Sequence, residues 1–126
     1  FHAEARARAF EPAGAVMAHG DAHAWNALET LDGGGYKFVD PDGLFIEPAY
    51  DLGISMREWT DELLAGDPLS LGRERCQFLS RLTGVAPAPI WQWGFIERVS
   101  TGLLCLRLGL DGGPEMLEVA KAWARG

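Results

Sequence analysis

The chain has 126 residues, 48% of them hydrophobic and 23% charged, with a formal net charge of −7 and an isoelectric point near 4.8. That balance is ordinary for one folded domain and excludes collagen-like or disordered chains. The acidic charge speaks against nucleic acid as main partner, because a phosphate backbone recruits a basic surface, and no run approaches the roughly eighteen apolar residues needed to cross a membrane.

The chain opens on Phe1-His2-Ala3-Glu4-Ala5-Arg6, which has no signal-peptide apolar core, so a cytoplasmic location is expected. Residues 1 to 10 read as the end of a helix that Pro12 and Gly14 interrupt. Ala15 to Ala18 form a short apolar run leading into a His19-Gly20-Asp21 turn. Ala27-Leu28-Glu29-Thr30 and Tyr36-Lys37-Phe38-Val39 read as two short strands joined through Asp32-Gly33-Gly34-Gly35, a hairpin signal. Antiparallel pairing there would hold Asn26 and Asp40 at adjacent strand ends.

From Pro48 onward the period is helical. One helix is expected over Ala49 to Leu64, with Leu52, Met56, Trp59 and Leu63 at spacings of three and four and Gly66-Asp67-Pro68 ending it. A second spans Leu71 to Leu82, starting near Ser70 and closing around Gly84. A third runs from about Pro89 to Leu110, and Pro114 opens a fourth through Trp123. Gly94, Gly102 and Gly109 in the third each cost a helix about 1 kcal/mol against alanine, and close helix packing is one reason to keep them. The expected fold is α+β, mainly α, as one domain over residues 1–126. Cys76 and Cys105 lack Cys-x-x-Cys spacing and read as reduced thiols.

Two stretches carry chemistry: His19-Gly20-Asp21-Ala22-His23-Ala24-Trp25-Asn26, and Asp40-Pro41-Asp42-Gly43. In kinase-type centres one aspartate takes the proton of the acceptor hydroxyl, an asparagine a few residues on holds magnesium, and a later aspartate holds magnesium against the phosphates. Asp21, Asn26 and Asp40 stand at that spacing. Asp42 reads as a turn residue.

The pattern resembles the aminoglycoside phosphotransferase family, whose catalytic loop reads His-Gly-Asp, four residues, Asn. The text from Tyr36 to Asp51, with its Asp-Pro-Asp-Gly, looks like the branch containing streptomycin kinases and hydroxyurea kinases. The resemblance is sharp over residues 16 to 55. It implies the C-terminal lobe of a protein kinase-like fold, with a small β-hairpin at the catalytic loop, that uses ATP and Mg²⁺ to phosphorylate a hydroxyl of an aminoglycoside or similar small acceptor, a cationic one suiting the acidic charge. Asp21 would be the catalytic base, Asn26 and Asp40 the metal ligands, and His19 an orienting residue. His23, where the family tends to carry a histidine, would order the loop or approach the cofactor phosphates, and Asp51 would be structural. Trp93 and Glu97 are named as acceptor contacts, against a default of core tryptophans and solvated acidic faces.

A kinase of this type also needs a nucleotide lobe with a strand lysine paired to a helix glutamate, and eighteen residues precede His19. The chain is therefore expected to be one lobe of a larger enzyme, inactive alone, with an exposed lobe interface that favours a homo-oligomer. Two other classes stay open. His19, Asp21 and His23 form a His-x-Asp-x-His string that could serve a metal-dependent hydrolase, and a lobe without its nucleotide partner could be a non-catalytic helical binding module.

Overall fold

The computed structural model describes residues 1–126. Its elements are α1 (His2–Ala9), β1 (Val16–Ala18), a 3-10 turn (Ala24–Asn26), β2 (Ala27–Glu29), β3 (Tyr36–Phe38) and β4 (Leu44–Ile46), followed by five helices. These are α2 (Ala49–Met56), α3 (Thr60–Ala65), α4 (Pro68–Thr83), α5 (Pro87–Leu108) and α6 (Gly113–Trp123). The fold is α+β and mainly helical, as expected, with two small antiparallel sheets, β1–β4 and β2–β3. No helix is long and apolar enough to cross a membrane.

The helix ends follow their local chemistry. Asp67 accepts the backbone N–H of Ser70 at 3.2 Å and Pro68 fills the first turn, so α4 begins three residues before the expected Leu71. Gly84, at φ +75°, ends it in a left-handed conformation that costs glycine nothing. Pro87 likewise starts α5 earlier than the expected Pro89.

The helix expected over Ala49–Leu64 is two helices. The ladder breaks at Arg57–Trp59, where Trp59 adopts φ +55°. Side-chain donors replace the lost helical bonds: Arg75 and Arg98 each donate to the Glu58 carbonyl at 2.9 Å, and Arg98 also donates to Thr60 Oγ1 at 3.0 Å. Arg98 is fully buried and stacks its guanidinium over the Trp123 ring at 4.8 Å. Burial pulls its pKa down, and neighbouring Arg75 adds to that.

The core lies between α2, α5 and α6. Met56, Leu63, Ile90 and Val119 are removed from water, each contributing about 1.5–3 kcal/mol of burial. Helices α2 and α5 cross closely because Gly94 has no side chain; a Cβ there would come 2.7 Å from Met56 Cβ. The glycine that weakens α5 as an isolated helix is what lets it dock. Exposed apolar side chains lie on the β half, among them Trp25, Leu31, Tyr36 and the cross-strand pair Met17 and Phe45, and again along the end of α5 at Leu103, Leu104, Leu106 and Leu108.

Candidate active site

Two short sheets bring the two motif segments together. In the first, Ala18 pairs with Leu44, so the chain leaves β1 at His19 beside Gly43, whose N–H donates to the His19 carbonyl at 3.1 Å. In the second, Ala27 pairs with Phe38, and the Val39 N–H donates to the Asn26 carbonyl at 2.9 Å. Residues 19–26 and 39–43 are therefore fastened to each other at both ends. Asn26 and Asp40 fall at adjacent ends of the expected hairpin.

The turn that follows β1 needs a glycine. Gly20 sits at φ +91°, and a Cβ there would lie 2.7 Å from Asp42 Cβ. Asp42 is thus an exposed turn residue that closes over Gly20. Asp40 adopts φ +57°, a conformation uncommon outside glycine and tolerated best by Asp and Asn. Outliers of this kind cluster at functional sites.

His19 ties the segments a third time. Its Nδ1 accepts the Asp21 N–H at 3.2 Å, which leaves Nε2 carrying the proton that it donates to the Val39 carbonyl at 2.9 Å. Both ring nitrogens are spent on backbone, so the His-x-Asp-x-His string does not converge on a common point. No three His, Cys, Asp or Glu side chains are grouped to hold a metal ion.

Helix α2 supports the loop from below. Asp51, in its first turn, accepts the N–H groups of His19 at 2.7 Å and Gly20 at 2.9 Å, a charged acceptor for two otherwise unpaired donors. One turn on, the Ser55 hydroxyl donates to the Ala22 carbonyl at 3.4 Å. Arg57, at the helix end, reaches Asp21 Oδ1 with Nη2 at 3.6 Å.

The result is a carboxylate with ordered surroundings. Asp21 Oδ2 lies 3.0 Å from His23 Nε2 and accepts from Asn26 Nδ2 at 3.2 Å, while the same amide nitrogen donates to the Asp21 carbonyl at 3.0 Å. The Asp21 side chain is 41% exposed, open enough to meet a ligand. His23 is largely enclosed, and its Nδ1 is buried without a partner.

The two acceptor contacts named from sequence fare differently. Trp93 is 7% exposed, donates its indole N–H to the buried Glu47 carboxylate at 2.6 Å and meets Tyr50 edge-on. It belongs to the core and offers a ligand no face. Glu97 does lie near Asp21, with its carboxylate already paired to Arg57 Nη1 at 3.1 Å. Burial pushes the Glu97 carboxyl above its usual range, Arg57 opposes this, and the Asp21 charge adds to it. Arg57 is the residue that sequence reasoning missed: a single arginine closing an apolar helical run carries no motif.

Cys76 is buried and Cys105 half-buried, both as free thiols. Comparison of the chain with known protein families, characterised proteins and solved structures gives no match.

Proposed function

We propose that the chain is the catalytic lobe of a small-molecule phosphotransferase, moving the γ-phosphoryl group of ATP to an acceptor hydroxyl. One observation supports the reading: His23 and Asn26 converge on the Asp21 carboxylate, and Asp40 follows Val39, whose N–H donates to the Asn26 carbonyl. Capping and turn formation do not ask for that convergence.

Asp21 accepts the hydroxyl proton as the acceptor oxygen forms its bond to phosphorus and the bond from phosphorus to the β,γ-bridging oxygen breaks, ADP leaving. A base placed in this way contributes about 10²–10⁴-fold. His23 and Asn26 fix the carboxylate through Oδ2, leaving Oδ1 for the substrate. Asn26 and Asp40 supply hard oxygen donors, and one or two such ligands with phosphates and water suit magnesium. Because the Asn26 amide nitrogen is committed to Asp21, its oxygen is free of that carboxylate. When bound, magnesium offsets charge on the transferred group.

The acceptor is a small hydroxylated molecule, and a cationic one fits the net charge of −7. Exposed apolar side chains on the β half and at the end of α5 are where copies would associate. The spent ring nitrogens of His19 weigh against the hydrolase reading. The test is nucleotide consumption by the full-length protein against a panel of hydroxylated acceptors, with Asp21→Asn alongside. Acceptor-stimulated, magnesium-dependent turnover lost in the variant supports the proposal; turnover indifferent to Asp21 overturns it.

A further inference from the structure

The geometry points to Arg57 as a positioning residue for Asp21, acting from outside the catalytic motif and anchored by Glu97 of α5. This rests on the phosphotransferase reading. Asp21 Oδ2 has two protein partners, His23 and Asn26. Oδ1 has only Arg57, at 3.6 Å. That separation makes an ion pair without a hydrogen bond, so the guanidinium holds the carboxylate in orientation and leaves the Oδ1 lone pair open to a substrate proton.

Arg57 can do this because it is itself held. Its side chain is 16% exposed, with Nη1 on Glu97 Oε2 at 3.1 Å and on Thr101 Oγ1 at 3.4 Å. The planar fork of a guanidinium presents separate nitrogens in fixed directions, so pinning Nη1 to α5 fixes where Nη2 points. A lysine, one mobile point charge, cannot hold Asp21 and Glu97 at once in the same way, and Arg57 Nε also faces a third carboxylate, Glu58 Oε1, at 3.9 Å. The base is thereby set by two helices, α2 from below through Asp51 and Ser55 and α5 from the side through Glu97 and Arg57.

A purely structural role would be different: Arg57 would merely neutralise Glu97 and tie α2 to α5. Three variants of the full-length protein separate the two, Arg57→Gln, Arg57→Lys and the double Arg57→Gln/Glu97→Gln, each followed by steady-state kinetics and thermal unfolding. Misplacing a reacting group by about 1 Å costs about 100-fold in rate, so Arg57→Gln is expected to lower kcat by that order with little change in acceptor KM. Arg57→Lys recovers part of kcat. The double variant removes the unpaired Glu97 charge and so regains melting temperature, but kcat stays as low as in the single variant. If Arg57→Gln alone does not fold, the double variant carries the kinetic comparison. A double variant that regains both kcat and melting temperature, or an Arg57→Gln enzyme with unchanged kcat, overturns the inference. A wild-type protein that transfers no phosphoryl group overturns the underlying reading and this one with it.

Discussion

Asp51 holds the backbone of Gly20 through one carboxylate oxygen at 2.9 Å while the other takes the preceding N–H, that of His19, at 2.7 Å. A single side chain thus replaces two backbone partners in a turn that no sheet or helix satisfies. Hydrogen bonds to a charged group contribute about 1.5–3 kcal/mol each, so Asp51→Ala is expected to cost about 3 kcal/mol in denaturant unfolding. Hydrogen exchange at the His19 and Gly20 amides should accelerate in step. Unchanged stability with slow exchange at both amides would mean that the turn is held by something else.

Gly94→Ala sets two effects against each other. Helix propensity alone would stabilise α5 by about 1 kcal/mol. Close packing opposes it, because the new Cβ would lie 2.7 Å from Met56 Cβ, across the α2–α5 crossing. Overpacking costs about 1–3 kcal/mol, so net destabilisation is expected, read as a lower denaturant midpoint at unchanged slope. A stabilised variant would show that the two helices do not approach so closely.

Cys76 gives a pH dependence. Burial pushes its thiol from 9.0 up to about 11. In the unfolded chain the proton leaves first, so between those values the folded state binds more protons and stability falls as pH rises, by about 1.4 kcal/mol per pH unit at most. Below pH 9 this group contributes no slope. Cys76→Ala should flatten the decline, and iodoacetamide at pH 8 should label Cys105 well before Cys76, whose thiolate fraction is about one in a thousand. Equal labelling of the two would contradict the burial of Cys76.

Much of this was legible in the residues. The hairpin announced itself through Asp32-Gly33-Gly34-Gly35, and the observed pairing of Ala27 with Phe38 places Asn26 and Asp40 as the turn requires. Pro114 and Gly84 marked helix ends because their backbone restrictions act locally. The break at Trp59 was hidden: Met56 and Leu63 keep helical spacing across it, and the donors that satisfy the freed Glu58 carbonyl, Arg75 and Arg98, lie far along the chain. Strand pairing of Val16–Ala18 with Leu44–Ile46 was equally silent, since three residues carry too little alternation to announce a partner. At the site, sequence spacing picked out Asp21, Asn26 and Asp40, but Arg57 meets Asp21 only through tertiary structure.

The most direct measurement is phosphorus NMR of the full-length protein with ATP, magnesium and an acceptor identified from the panel. The γ-phosphate signal is expected to give way to ADP and a phosphomonoester on the acceptor, with no such ester in Asp21→Asn. ADP and inorganic phosphate as the only new signals, with no acceptor ester formed, would contradict phosphoryl transfer to a small molecule.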